Sequence, residues 1–440
     1  RGVLLALAIA ATIAGYTLAD EEGIEPNNFG TNFSGHASVN VSPSDKLDLQ
    51  TSLHYTRGSA HLGVDGGLSS MLGMSIGHII NNRPTRGFFF APPEVPQRLY
   101  DNAQDINRFT GGATLNHRPA SWFAQRVTLG LDYTGDDSRA LERYAPPDLR
   151  PFFTAALGGQ SAANGRIAQN LRNESYITGD YSGTATFNLT PSLNSASSIG
   201  GQFIRKQLKS STLSGLEFPA PNVETVSGTT TPGTPTQNVT VNTTIGVYGQ
   251  QRFGWNDRLF VTGAVRVDNN SAFGDVFEWV TYPKVSATWV LSEEPFWSGY
   301  TNVVNTLKLR AAYGQSGQQP NAFAALRTFA NGARGNGTPG VTPNSLGNPD
   351  LKPERGSELE VGFEAGVFDR LSLDFTYYTR RTKDAIFQLG LAPSGGWPGD
   401  QTINIGETSN RGIELQARVQ ALSLDNVSWE IAGNISTNKD

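Results

Sequence analysis

Side chains that could do metal or phosphate chemistry are scattered along this chain. It has no cysteine, so a thiolate metal site is excluded. Its five histidines follow no metal-ligand spacing: His36, His54, His61, His78 and His117. Gly111 and Gly112 lack the Lys-Ser or Lys-Thr partner of a phosphate-binding loop. We therefore predict no metal, no cofactor and no phosphate site.

Two carboxylates have a spacing that acid–base catalysis could use. Glu358 and Glu360 would face the same side of a strand, as in a glycoside hydrolase. Glu364 lies on that side too, and a row of three acids is better explained as the wall of a polar channel. We predict that the protein is not an enzyme.

Aromatic residues in long polar stretches are better candidates for ligand binding. Sugars are bound by aromatic faces and planar polar groups, and long loops bring such groups together. The candidates are Trp397 within 394–399, Trp279, and Phe89 within 88–90. The alternative is that these rings pack one loop against another.

The elements that would position these residues are β-strands. From Leu371 to Tyr378, apolar and polar residues alternate, which is the period of a strand. The run 359–365 alternates in the same way, and 366–370 connect the two as a hairpin. Fourteen such strands are predicted, at about 31–42, 47–57, 104–117, 125–135, 174–190, 193–208, 243–254, 258–268, 281–291, 305–316, 356–367, 370–382, 411–422 and 427–437.

Short turns and long loops alternate between these strands. The long connections are 58–103, 136–173, 209–242, 317–355 and 383–410. Compact soluble domains seldom carry so many loops beyond about 15 residues. The exceptions are 292–304, which is long for the short-turn side, and 269–280, which is short for the long-loop side. This rhythm is typical of a transmembrane β-barrel with short periplasmic turns and long extracellular loops.

A barrel in hydrocarbon must pair its backbone groups internally and turn apolar side chains outward. Leu371, Leu373 and Phe375 would then face lipid. The acidic and basic residues of the alternate positions would face the lumen: Glu358, Glu360, Glu364, Asp374, Glu414 and Arg418. An aromatic girdle is expected near strand ends, from Tyr377, Trp429, Tyr313 and Trp289.

Composition agrees with this fold class. The chain of 440 residues is 38% hydrophobic, with a mean hydropathy of -0.33. It contains no run of about 18 apolar residues, so helical membrane spans are excluded. The net charge of -5 comes with no basic stripe, which argues against a nucleic-acid partner.

The first 14 residues stand apart. Arg1 precedes the apolar stretch 3–14, which has the features of a signal peptide. An error in the sequence is the other interpretation. The chain ends directly after a strand-like run, so we expect a fragment, with the partial barrel at 15–440.

Several segments resemble the TonB-dependent outer-membrane receptors, in particular their SusC/RagA branch. NPDLKPE at 348–354, followed by SELEVGF at 357–363, resembles the entry to a barrel hairpin of these receptors. The blocks that resemble the SusC/RagA branch are RVDNNSAFG at 266–274, YPKVSATW at 282–289, LSEEPF at 291–296, LKLRAAYGQSG at 307–317, and GY at 15–16 with EGIEPNN at 22–28. They occur in the family's order over nearly the whole chain.

The resemblance implies an active importer of oligomeric nutrients in the outer membrane of a Gram-negative bacterium. Its cargo would be glycans foremost, or peptides. Such receptors have a barrel of 22 strands in membrane lipid, an N-terminal plug, energy from the TonB complex and a SusD-like surface lipoprotein. Of these parts we expect about 14 strands here and no plug.

Three alternatives remain open, namely a siderophore-type receptor, a passive porin and a surface β-sandwich adhesin. A smaller question concerns Asp268, Asn269 and Asn270, for which we predict a loop tip, with a calcium cluster as the alternative.

Overall fold

A computed structural model describes residues 9–23, 27–63, 91–153, 159–272, 279–333, 338–424 and 426–440. Strands dominate this part of the chain. In chain order, β1 to β20 are Ile9–Glu22, Phe29–Ser44, Leu47–Leu62, Tyr100–Ala120, Phe123–Glu142, Arg166–Thr190, Leu193–Leu216, Thr231–Pro232, Thr236–Trp255, Leu259–Asn270, Val280–Val290, Val304–Gln318, Thr328–Ala333, Pro339–Ser345, Glu354–Val367, Leu371–Lys383, Ile386–Gly390, Asp400–Asn404, Glu407–Leu424 and Val427–Lys439.

Helices are short and lie in the connections. The α-helices of the described part are Glu94–Leu99 and Gly159–Ala162, and the 3-10 helices are Arg150–Phe152, Val226–Gly228, Leu291–Glu293, Pro295–Trp297 and Pro393–Gly395. Among the described residues, no helix is both long and apolar enough to span a membrane.

The main sheet has 16 strands in the order β1-β2-β3-β4-β5-β6-β7-β9-β10-β11-β12-β15-β16-β19-β20, with β8 paired to β7. Nearly every strand therefore pairs with its neighbour in sequence. The predicted all-β, antiparallel fold is confirmed, and each of the 14 predicted strands is present. A β-sandwich would need two sheets packed face to face, so the adhesin alternative does not fit.

Two main-sheet strands were not predicted, namely β1 and the two-residue β8, which pairs with the end of β7. β1 pairs with β2 from Ile9 opposite Val41 to Glu22 opposite Phe29. Residues 9–14 of the apolar N-terminal stretch thus lie in this strand.

The chain forms two compact units. Unit 1 comprises residues 1–115, 128–178 and 205–241, and unit 2 comprises 116–127, 179–204 and 242–440. In unit 1, two clusters of buried side chains lie next to the long connections. The larger contains Ala91, Val95, Leu99, Ala145, Leu149, Phe153 and Ala163, and the smaller contains Leu141, Ile167 and Phe218.

In unit 2 the strand register separates an apolar face from a polar face. One cross-strand row on the apolar face runs through Trp255, Leu259, Trp289, Leu309, Phe363, Phe375, Leu415 and Ile435. Many large side chains of this face are exposed, including Ile435 at 67% and Leu359 at 42%. An apolar sheet face left open to this extent is suited to lipid.

Tryptophans gather at the short-turn ends of unit 2. Trp289 and Trp429 lie within two residues of the ends of β11 and β20, as the girdle prediction expected. Trp255 ends β9, and Trp122 occupies the turn between β4 and β5, with its ring stacked 5.4 Å from Phe187. Two members of the predicted girdle lie elsewhere. Tyr377 is at the middle of the 13-residue β16, and Tyr313 is inside β12, because both strands extend beyond the apolar band.

The long connections of unit 2 have structure of their own. β13 pairs with β14 within 319–353, and β17 pairs with β18 within 384–406. The loop-tip prediction for Asp268, Asn269 and Asn270 is wrong, because all three complete β10. Asn270 is fully buried and hydrogen-bonds to Asn242. Within the described residues, no group of three or more His, Cys, Asp or Glu could hold a metal ion.

Candidate functional site

A ladder of paired charges lines the polar face of unit 2 near the short turns. Glu364 accepts bonds from Lys308 Nζ and Arg310 Nη1, each at 2.9 Å. Arg310 Nη2 also reaches Asp374 Oδ1 at 2.5 Å. Arg418 Nε lies 3.4 Å from Glu430 Oε1. As predicted, Glu364, Asp374 and Arg418 share a face opposite to Leu371 and Leu373. Each charge has a partner, so this ladder is a structural wall rather than a vacant site.

Closer to the long loops, the same face holds an open groove of about 390 Å³. Small residues on two strands make room for it, namely Ala264 on β10 and Ala312 and Gly314 on β12. Lys284 lies opposite Gly314, which in turn lies opposite Glu358. The remaining polar lining is Gln250, Thr262, Ser286, Gln315, Ser316 and Glu360. Because Gly314 has no side chain, a gap remains between Lys284 on β11 and Glu358 on β15.

The charges of the groove differ from those of the ladder. Lys284, Glu358 and Glu360 line it without an ion pair to any residue that the structure describes. They remain available to a ligand with hydroxyl, amide or charged groups.

Trp397 forms an aromatic platform with two residues of another connection. The guanidinium of Arg327 lies 5.3 Å from the centre of the Trp397 ring, at cation–π distance. The Phe329 ring is 5.5 Å away at an interplanar angle of 55°. We call Arg327, Phe329 and Trp397 the Trp397 platform. Trp397 is half-buried, so it contacts a neighbouring loop and keeps part of its surface open.

The segment 348–354 anchors the connection that carries the platform. Asn348 Nδ2 donates to the Thr402 carbonyl at 3.0 Å. The Asn404 side chain accepts from the Lys352 amide and donates to the Lys352 carbonyl, both at 2.8 Å. Gly347 turns the chain at φ +68°, a conformation that glycine adopts without strain. These bonds join the start of β15 to the β17–β18 hairpin.

The other two predicted ligand contacts are less informative. Trp279 directly precedes β11 and is 51% exposed. Phe89 lies outside the described residues. The described ring contacts of Trp397 are with Arg327 and Phe329, and none is with Trp279. All three remain predictions.

Unit 1 has a charged cluster that the sequence did not reveal. Asp101, at the long-loop end of β4, is 9% exposed. It receives bonds from Arg139 Nη2 at 2.9 Å and Arg143 Nη2 at 2.7 Å, and it contacts His61 Nδ1 at 2.9 Å. Arg143 Nε also donates to Glu224 at 2.7 Å. We call these five residues the Asp101 cluster.

Electrostatics favours the ionised form of Asp101. Burial by itself would raise the pKa of this carboxyl, but Arg139, Arg143 and the His61 hydrogen bond outweigh that effect and hold the pKa below its ordinary value. Beside it, burial raises the pKa of Tyr100 to about 12, with Glu142 acting in the same direction. The Asp101 carboxylate therefore joins β3, β4 and β5. Arg143 extends the cluster to Glu224, in the connection after β7.

The members of the Asp101 cluster are far apart in sequence. Arg139, His61 and Arg143 are 38 to 42 residues from Asp101, and Glu224 is 81 residues from Arg143. Local pattern carries no information over such separations. A sequence signal existed only in the position of each residue at or near a strand end beside a long connection.

Comparison with known proteins agrees with this architecture. A family model described as "TonB dependent receptor-like, beta-barrel" matches residues 35–440. The chain is 23% identical over 438 residues to TonB-dependent receptor P26 of Formosa agariphila. The aligned region covers 96% of this chain and 43% of that protein. It is 27% identical over 212 residues to TonB-dependent receptor SusC of Bacteroides thetaiotaomicron, with 46% of this chain and 21% of SusC covered.

Solved structures share the fold. The RagAB peptide transporter superposes with a TM-score of 0.82 at 15% identity, over 97% of this chain and 49% of that chain. The ferric-catecholate import receptor Fiu of E. coli gives a TM-score of 0.56 at 15% identity, over 97% and 61%.

This chain spans less than half the length of the curated relatives that it matches. The family match nevertheless covers nearly every strand of the main sheet. The chain is similar to SusC in sequence and to RagAB in fold. It belongs to the TonB-dependent receptor-like β-barrel family and is an outer-membrane protein of a Gram-negative bacterium.

Proposed function

We propose that this chain is the barrel portion of an active importer of oligomeric nutrients. The observation that carries the proposal is the receptor-family match over 35–440. The strands supply a polar face with an open groove, and the connections supply an aromatic platform. A ligand held in these places would be bound by contacts and released unchanged.

The proposed cargo is an oligosaccharide foremost, with a peptide as the second candidate. The Trp397 platform supports a sugar, because an indole face packs against the apolar side of a pyranose ring. The amides and hydroxyls of the groove suit either cargo. Among the relatives, RagAB is named as a peptide transporter, which keeps the second candidate in the test.

The proposed energy source is the TonB complex, acting through a plug region elsewhere in the full-length protein. A SusD-like surface lipoprotein is the proposed partner at the long-loop side. Both follow from the family and from the relatives, and both can be tested by genetic removal.

The experiment is uptake by cells that carry the full-length protein, with fluorescent oligosaccharides and peptides of matched length as cargo. We expect saturable uptake of one cargo class that disappears with a protonophore or without TonB. Passage that is insensitive to both would indicate a passive porin and contradict active import. Competition by ferric siderophores would indicate a siderophore-type receptor instead.

A matched pair of variants tests the platform in the same cells. Trp397→Ala should weaken cargo affinity about tenfold, as for loss of an aromatic hot spot. Trp255→Ala, at the short-turn end, should leave affinity unchanged. Equal affinities for wild type and Trp397→Ala would remove the platform from the binding site while leaving the transport proposal intact.

A further inference from the structure

A patch of positive charge lies on the apolar side of unit 2, directly beyond the apolar band. Toward the long loops, the positions of β15, β16, β19 and β20 that continue this face carry five cations and one acid. The cations are Arg355, Arg381, Lys383, Arg411 and Lys439, and the acid is Glu407. We call the five cations the basic patch.

The register places the basic patch on the outward face. Arg381 and Lys383 continue the alternation of Leu371, Phe375 and Tyr377 along β16. Arg355 lies opposite Lys383, and Arg411 lies opposite Thr379. On these four strands, every position of this face between the patch and the short-turn ends is uncharged. Hydrophobic and cationic surfaces therefore meet along one line.

Like charges are directly opposed within the patch. Arg355 faces Lys383 across β15 and β16, and Arg411 faces Lys439 across β19 and β20. Like charges in directly opposite positions destabilise a sheet. Glu407 lies opposite Lys383 in the register of β16 and β19. Its described ion pair is with Arg381, at 2.6 Å, so it relieves only part of this repulsion. The four opposed cations form no ion pair with a described residue, and all are exposed.

The dimensions suit phosphate groups at a lipid surface. The patch extends over four strands and five residues along a strand, which is about 14 Å in each direction. Guanidinium and ammonium groups are the protein partners of phosphate. At the boundary of the apolar band, they lie at the depth of lipid headgroups.

We propose that the basic patch binds the phosphate groups of an anionic glycolipid in the outer leaflet. The acyl chains of this lipid would cover the apolar face below the patch, and its phosphates would offset the repulsion between opposed cations. This site lies on the other face of the sheet from the groove and is independent of the cargo.

The test uses the full-length protein in neutral detergent micelles doped with a phosphorylated outer-leaflet glycolipid, or with the same lipid after removal of its phosphates. Bound lipid is counted by native mass spectrometry over a titration. We expect the phosphorylated lipid to bind and the dephosphorylated lipid to bind far more weakly. The double variant Arg355→Gln/Lys383→Gln should bind the phosphorylated lipid about 30-fold more weakly, because two interfacial cations are lost.

The control is Arg380→Gln, which removes a cation of β16 from the opposite face, and it should bind lipid as the wild type does. In lipid-free detergent, the double variant should have a higher Tm than the wild type, because the opposed charges are gone. Equal binding of both lipids, or equal loss in variant and control, would overturn the proposal. If millimolar inorganic phosphate raised the Tm of the wild type as much as the phosphorylated lipid does, the patch would be assigned to a soluble anion and the lipid assignment would be overturned.

Discussion

At the scale of single residues, the described charges of this protein fall into three different states. Arg310, Glu364 and Asp374 are mutually paired on the polar face. Asp101 is buried and gathers two arginines and a histidine. Lys284 and Glu358 line the groove without a described partner. Paired charges hold strands in register, whereas unpaired ones are available to a ligand.

Asp101 should make stability depend on pH at the acidic end. Its pKa in the folded protein lies below the ordinary value, so its contribution to stability is present above about pH 4. That contribution is lost as the pH falls through the folded-state pKa. Asp101→Asn should therefore lower the free energy of unfolding by about 1–3 kcal/mol at neutral pH.

Urea unfolding of the full-length protein in detergent at neutral and acidic pH measures this effect. The difference between variant and wild type should shrink toward acid. Asp148→Asn is the control, because its carboxyl pairs with Arg98 at the surface and should change stability little. A difference that stays constant with pH would show that the carboxylate charge of Asp101 is not what stabilises the cluster.

At the scale of elements, the strands combine two functions through their alternation. The apolar face is suited to lipid, and the polar face carries the ladder and the groove. A shift of one residue in register would exchange these faces. The cross-strand charge pairs of the ladder oppose such a shift, since Lys308 and Glu364 are directly opposite.

Leu373→Arg tests the lipid-facing assignment of β16. Leu373 lies between Ala365 and Ala417 within the apolar band, and an arginine there should cost about 2–4 kcal/mol in a bilayer. Gln416→Arg, on the polar face opposite Asp374, should be nearly neutral. Folding titrations into lipid vesicles measure both. Equal costs for the two variants would contradict the assignment of the faces.

The existence and pairing of the strands were predictable because alternation of period two is a local property. The lengths of the strands were less predictable. β7 was predicted at 193–208 and extends to Leu216, and β6 was predicted from 174 and begins at Arg166. These extensions toward the long loops carry polar residues on both faces, so the regular apolar alternation breaks down there. The β17–β18 hairpin was missed because it lies in a Gly- and Pro-rich stretch, where its bonds to Asn348 and Lys352 hold it in place.

At the scale of the whole molecule, the described connections fall into turns and long loops on opposite ends of the strands. The turn at 121–122 joins β4 to β5, and 384–406 joins β16 to β19 with a hairpin inside. In a receptor barrel of the outer membrane, the short turns face the periplasm and the long loops face the medium.

Cysteine labelling tests this orientation, and the chain offers a clean background because it has no cysteine. Ser394→Cys, in a long loop, should react with a membrane-impermeant maleimide on intact cells. Ser121→Cys, in a short turn, should react only after the cells are broken. Any cysteine elsewhere in the full-length protein would first be replaced by serine. Labelling of both positions on intact cells, or of Ser121→Cys alone, would contradict the orientation.

The sequence by itself determined the fold class, the pairing of successive strands and the sides on which Leu371 and Glu358 lie. Alternation and turn composition are local, and lipid requires one apolar face, so no distant contact was needed for these conclusions. Only the tertiary structure decided the surroundings of the charges. Asp101 meets Arg143 across 42 residues, and Arg355 faces Lys383 only through their register. Such neighbours depend on which strand lies beside which and at what offset, and a linear pattern does not contain that information.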